Sequence, residues 1–150
     1  MFVPDGFQPP LGLRSEVFLL EPLGPQHNER DHAAWMSSIE HIHATPGFGD
    51  PLDPDPWPRP MTLAENLEDM LMHARHHHDR EGFTYTVLDA ATKDVIGCVY
   101  IYPLHGEDLT ADVRSWVRSS HADLDAPLWR AVSEWLTSDW PFTDMRFAAR

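Results

Sequence analysis

Val95-Ile96-Gly97-Cys98-Val99-Tyr100-Ile101-Tyr102 is apolar on both alternations, the pattern of a central strand covered on both faces. It follows Phe83-Thr84-Tyr85-Thr86-Val87-Leu88 across a turn through Ala90–Asp94, so the two segments predict adjacent strands. In the first of them Phe83, Tyr85 and Val87 share one face by period two. A third strand, Ala111–Arg118, places Val113, Ser115 and Val117 on one face. Asp112, Arg114, Trp116 and Arg118 take the other.

Working outward, Thr62-Leu63-Ala64-Glu65 is a capping box that opens a helix. Leu67, Met70, Leu71 and Ala74 form its expected buried stripe, and Gly82 stops it. Before it, residues 46–61 carry six prolines: Pro46, Pro51, Pro54, Pro56, Pro58 and Pro60. That density forbids helix and central strand, leaving a stiff surface loop of the kind that forms lids and binding walls. Phe48, Trp57 and Arg59 are the side chains it would offer. An earlier helix is expected from Asn28, with Asn28 as its cap and Asp31 favouring the positive end of its dipole. Trp35, Ile39 and either Met36 or Ile42 share its inner face. Val17–Leu20, closed by Glu21-Pro22, reads as a first strand, and residues 1–15, rich in Pro and Gly, as irregular. Downstream, a helix over Asp125–Ser138 turns Leu128, Val132, Trp135 and Leu136 inward, and Met145–Ala149 reads as a last strand. The expected class is α/β (α+β), one domain over residues 1–150. A mixed sheet is flanked by helices in the order β-α-α-β-β-β-α-β.

The formal net charge is −13, and Lys93 is the only lysine. Such a chain repels phosphate backbones and anionic membranes and draws cationic or amine-bearing partners. No apolar run approaches the ~20 residues of a membrane span, and Met1-Phe2-Val3-Pro4-Asp5 lacks the pattern of a signal peptide. Cys98 is the sole cysteine and has no internal partner. A cytoplasmic location is therefore expected.

Three segments resemble the GNAT N-acetyltransferase superfamily, as a shortened and divergent member. Val95–Ile101 resembles the family's "vIG" strand. Val113–Arg118 resembles the strand whose backbone receives acetyl-CoA, and Leu128–Leu136 the helix after the pyrophosphate loop. The resemblance implies acyl transfer from acetyl-CoA, or another acyl-CoA, to a small-molecule or peptide amine, with no metal. It places the cofactor against Val117, Arg118, Ser119, Ala122, Leu124 and Ala126, and the acceptor against Phe48, Trp57 and Arg59. Asp112 becomes the candidate base, with His121 and Glu107 as further options. Two departures stand against this. The family's glycine-bearing loop corresponds here to Ser119–Pro127, which holds no glycine and puts Asp123 and Asp125 where phosphates would sit. The family's closing helix and β-hairpin, with the tyrosine that protonates the leaving thiolate, have no counterpart after Met145–Ala149. The expected affinity for CoA is accordingly weak, in the tens of micromolar or about −6 kcal/mol. The rival function is a GNAT-like domain without catalysis that binds a ligand or a partner protein. An uncovered sheet edge at Met145–Ala149, with Trp135–Phe142 as anchors, points to a homodimer.

Asp69, His73 and His77 recur at four-residue spacing and could hold a metal. The expected stripe of buried leucines puts them on the opposite, solvated face. Arg114 shares a strand face with Asp112, which favours an ion pair over a free base. Cys98, in a central strand, is expected buried rather than nucleophilic.

Overall fold

A computed structural model describes all 150 residues. Its six strands are β1 (Leu13–Arg14), β2 (Phe18–Pro22), β3 (Phe83–Asp89), β4 (Val95–Pro103), β5 (Thr110–Val117) and β6 (Asp144–Phe147). They form one sheet in that order. Every pair is antiparallel except β5 with β6, which is parallel. A parallel neighbour requires a crossover, and helix α4 (Asp125–Asp139) supplies it. Helices α1 (Asn28–Met36), α2 (Ile39–His43) and α3 (Leu63–His78) fall between β2 and β3.

The sheet separates two apolar layers. On the α4 side, Leu128, Val132, Trp135 and Leu136 are buried as expected, against Ile96, Val99 and Val117 among others. Each fully buried side chain of this kind contributes about 1.5–3 kcal/mol, enough to dock the helix. On the other side Trp35, Ile42 and Met70 pack on Cys98 and Trp116. A bulge makes this arrangement possible. Val87 opposes Gly97 while Leu88 opposes Val95, so Ile96 is the extra residue in β4. The bulge changes the parity of the strand, which is why Val95 shares a face with Cys98, and Ile96 with Val99. Gly97 is needed where β4 meets β5, because a Cβ there would stand 2.4 Å from the Trp116 carbonyl oxygen.

Several elements differ from the sequence expectation. Residues 1–15 are not wholly irregular: Leu13–Arg14 pair with Leu20 and Leu19, and Phe2 and Val3 enter the core. The first long strand begins at Phe18 rather than Val17, which is exposed. Asn28 lies inside α1, and His27 precedes the helix. The Asn28 side chain instead donates to the Leu63 carbonyl. The single helix expected there breaks into α1 and α2 at Ser37 and Ser38, and Ile42 rather than Met36 faces inward.

The largest correction is α3. Its capping box forms as read, but Leu67 and Leu71 are 37% and 42% exposed. Met70 is buried as expected, but Asn66, His73 and His77 turn toward the protein in place of the two leucines. What lies beneath this helix is a partly polar wall, and hydrogen bonds chose the face. The final strand runs over Asp144–Phe147 rather than to Ala149. Trp135 and Trp140 are buried within the chain. Phe7 packs on Trp140 at 5.4 Å, and Phe2 stacks on Phe142 at 5.2 Å. The anchors expected to serve a two-fold contact are thus used internally. No helix is long and apolar enough to cross a membrane.

Candidate functional site

A cavity of about 650 Å³ opens between the 46–61 loop, α3 and the β4–β5 face. The loop is held in place by backbone geometry. Gly49 has φ +67°, and a Cβ on it would lie 2.2 Å from the His43 carbonyl oxygen. His43 Nε2 in turn lies 3.2 Å from the Pro56 carbonyl oxygen. This delivers Phe48 and Trp57 to one wall, where their rings stand 6.0 Å apart and within 6.3 Å of Tyr100. Trp57 also packs on Trp35 and Trp116. Tyr100 is fixed by the Trp116 indole, whose Nε1–H donates to its hydroxyl at 3.0 Å.

The opposite wall is polar. Asp31 of α1 lies at the cavity and is only 3% exposed. Its Oδ2 accepts from Asn66 Nδ2 at 3.1 Å, and the same amide also donates to Asn28 Oδ1 at 2.9 Å. Asn66 Oδ1 accepts from the Trp35 indole at 3.1 Å, which fixes the amide's orientation. Burial raises the Asp31 carboxyl to about 6, against the lowering effect of Asn66 and His32. Asp69, one turn along α3, is also raised by burial. Asp50 and Asp53 stand at the rim. Further along, His73 Nδ1 lies 3.0 Å from the hydroxyls of both Tyr102 and Thr84, and His76 Nδ1 lies 2.9 Å from Tyr102. Burial, with the neighbouring His76, lowers His73 to about 4, so it is neutral at pH 7. His77 is not part of this network, and its ring packs edge-on against Phe83 and Tyr85. The Asp69-His73-His77 face is therefore turned inward, contrary to the solvated stripe expected, and no group of three or more His, Cys, Asp or Glu is placed to hold a metal.

The expected site residues divide by location. Phe48, Trp57 and Asp112 line the cavity. Arg59 does not, and pairs with Asp55 at 3.5 Å on the surface. Asp112 is clamped between two guanidinium groups, Arg114 at 3.2 Å and Arg146 at 3.1 Å. His121 lies 3.9 Å from Asp89 and Glu107 is exposed in a loop, neither of them on the cavity. Cys98 is fully buried, and burial pushes its thiol well up, away from nucleophilic character.

The residues expected to meet a cofactor surround the start of α4. Val117 is buried with its side chain in the core. Arg118 N–H donates to the Ile96 carbonyl, and Ser119 N–H to Ser38 Oγ at 2.9 Å. Ser119–Leu124, which includes Ala122, forms a 3-10 turn, and Ala126 lies in the first turn of α4. Within that turn His121 N–H donates to Arg118, and Asp125 N–H to Ala122. No residue there has positive φ. The converging N–H groups of an anion nest are therefore absent, and Asp125 adds a carboxylate at the helix start. The residues present do not fit an open pyrophosphate site.

Sequence reasoning missed Asp31 as a site residue, together with Asn66, Tyr100 and the His73–Tyr102–His76 cluster. Asn66 carried a usable signal. It is a poor helix former one turn before Met70, on the face that proved to be inward.

No family model and no curated protein matches the sequence. Solved structures do match. RimL, the ribosomal L7/L12 alpha-N-protein acetyltransferase, superposes with TM-score 0.67 at 12% identity, over 95% of this chain and 73% of that one. The ribosomal-protein-S5-alanine acetyltransferase from Vibrio fischeri gives 0.65 at 14%, over 85% and 67%. The microcin C7 self-immunity acetyltransferase MccE, solved with acetyl-CoA and AMP, gives 0.62 at 10%, over 86% and 66%. At these identities the likeness is one of fold, and the fold is that of the GNAT acetyltransferases.

Proposed function

We propose that this GNAT-fold chain is an acyltransferase whose acceptor is a small organic amine, or the amino end of a peptide, bound in the cavity beside β4 and β5. The observation that carries the reading is the pairing of a largely buried carboxylate, Asp31, with an aromatic wall of Phe48, Trp57 and Tyr100 in one cavity. An alkylammonium is complementary to both, because its charge meets Asp31 and its apolar part meets the rings. Asp50, Asp53 and Asp69 add to the negative field, while the charge of Arg114 is spent on Asp112. Asp31, rather than the clamped Asp112, is thus the carboxylate available to the ammonium or its proton. An acyl-CoA would supply the acyl group. RimL and the Vibrio fischeri protein, with the same fold, act by name on ribosomal proteins, which supports an amine acceptor here.

A second reading is favoured by the 3-10 turn at Ser119–Leu124 and the carboxylate of Asp125: a domain that binds the amine without transferring anything to it. One experiment separates the two. The protein is incubated with acetyl-CoA and a panel of benzylamine, spermidine and short peptides, and products are weighed by mass spectrometry. The acyltransferase reading requires an acetylated amine, lost on Asp31→Asn. Amine binding by calorimetry with no acetylated product on any acceptor would leave the binding domain.

A further inference from the structure

Past the aromatic wall, the cavity is bounded by His73, Tyr102 and His76. Asn66, which holds Asp31, and His73 lie two turns apart on α3, about 10 Å at the rise of an α-helix. Met70 lines the cavity between them, and the Tyr100 ring stands 5.7 Å from that of His73. The cavity therefore runs from a charged end, past apolar side chains, to a second polar end. The hydrogen bonds there take their direction from the outermost group. Glu81 Oε2 lies 3.9 Å from His76 Nε2, which favours the proton on that nitrogen and leaves His76 Nδ1 bare. That bare nitrogen, 2.9 Å from the Tyr102 hydroxyl, accepts its single proton. The Tyr102 oxygen then accepts from His73 Nδ1 at 3.0 Å, with Thr84 Oγ1 equally close to the same nitrogen. The two imidazole rings stand 6.5 Å apart, so the hydroxyl is their link. With its proton on Nδ1, His73 keeps Nε2 as an unprotonated acceptor to which no group of the protein donates. Burial holds the ring neutral at pH 7, so that lone pair persists. An acceptor of this kind is satisfied only by a donor that enters the cavity.

We infer that the acceptor is an amine carrying a second, uncharged hydrogen-bond donor at its far end, in the simplest case a ring hydroxyl, which donates to His73 Nε2. The inference rests on the amine reading of this cavity and narrows it. Asp31 takes the ammonium, the rings of Phe48, Trp57 and Tyr100 take the aromatic body, and His73 reads the far end. A second ammonium is disfavoured there by the same burial that keeps His73 uncharged. Tyr102 and His76 are positioning residues, which fix the nitrogen of His73 that carries the proton. A ligand group that only accepts, such as an ether oxygen, meets a lone pair and is rejected.

Calorimetric titration with three amines tests this without any acyl donor. Tyramine, phenethylamine and para-methoxyphenethylamine differ only at the far end. The wild type should bind tyramine about tenfold tighter than phenethylamine, and the methoxy compound no tighter than phenethylamine. His73→Phe should bring tyramine down to the affinity of phenethylamine and leave phenethylamine itself unchanged. Tyr102→Phe releases the His73 proton to move to Nε2, so the preference for tyramine over the methoxy compound should be lost while phenethylamine binds as before. A merely structural role would weaken all three amines together. A wild type that binds tyramine and phenethylamine equally, or prefers the methoxy compound, would overturn the inference and leave the amine reading standing. Failure of all three to bind the wild type, or equal binding by Asp31→Asn, would overturn the amine reading and the narrower class with it.

Discussion

Replacing Asp31 with Asn tests the site through its cost to the fold. The carboxyl rises from 3.8 to about 6 on folding, which corresponds to about 3 kcal/mol. Between pH 3.8 and about 6 the folded chain keeps a proton that the unfolded chain has lost. Stability therefore falls as pH rises through that window, and the whole cost is present above it. Asn can still accept from Asn66 but carries no charge. His73 acts in the opposite sense. Its folded value drops from 6.5 to about 4, so stability rises with pH through nearly the same interval. The two slopes oppose each other in the wild type, and only the difference between variant and wild type at each pH reports Asp31. His32 and Asp69, which also bear on Asp31, are present in both proteins. Urea unfolding followed by Trp fluorescence from about pH 4 to about pH 8 supplies that difference. The two proteins should match near about pH 4, and Asp31→Asn should be about 2–3 kcal/mol more stable at about pH 7.5. The same variant should lose amine binding, the usual cost of relieving a destabilised site. A stability difference that does not vary with pH, or a wild type more stable at neutral pH, would refute the reasoning.

Leu67→Glu and Leu71→Lys should each change stability by no more than about 0.5 kcal/mol, whereas Asn66→Leu should cost about 2 kcal/mol by orphaning Asp31 and the Trp35 indole; chemical denaturation decides whether α3 has been faced correctly. Gly97→Ala should lower stability by about 2–3 kcal/mol, because its Cβ meets backbone rather than a movable side chain, and the thermal midpoint will show it. Trp57→Ala should weaken benzylamine binding about tenfold by opening the aromatic wall, read by calorimetry, while leaving the His73–Tyr102 hydrogen bonds intact by NMR.

The sheet was readable because its evidence is local. Phe83–Leu88, Val95–Tyr102 and Ala111–Arg118 each declare a strand by their own residues. The helix crossing from β5 to β6 has four apolar side chains at helical spacing and no competing face. The bulge at Ile96 was not readable, since an uninterrupted apolar run looks the same in either register. Helix α3 shows where hydrophobic periodicity ends as a guide. Of the stripe expected from Leu67, Met70, Leu71 and Ala74, Met70 is buried but Leu67 and Leu71 are exposed. The winning face holds Asn66, Met70, His73 and His77. Asn66 and His73 satisfy Asp31, the Trp35 indole, Thr84 and Tyr102 from other parts of the chain, partners that periodicity within one helix cannot see.

The same blindness explains the site. Asp31 could be placed near the start of a helix, where a carboxylate suits the dipole, but nothing in its neighbourhood announces burial. It is buried because Asn66, many residues away, supplies a donor and Trp35 orients that donor. A carboxylate reaches a raised pKa only when burial outweighs its hydrogen bonds, so this property belongs to three segments at once. Asp112 shows the converse. It attracted notice in the sequence as an acid on a strand face, and Arg114 beside it already argued for an ion pair. The second clamp, Arg146, arrives only with the parallel strand β6. Arg150 and Asp125 meet for the same topological reason, since the crossover helix begins where the strand it leads to is completed. The chemistry that distinguishes this chain is therefore concentrated at contacts the topology creates. Substitutions at Asp31 and Asn66 should accordingly move amine binding more than changes at the core-facing positions of β4, such as Val99 and Ile101.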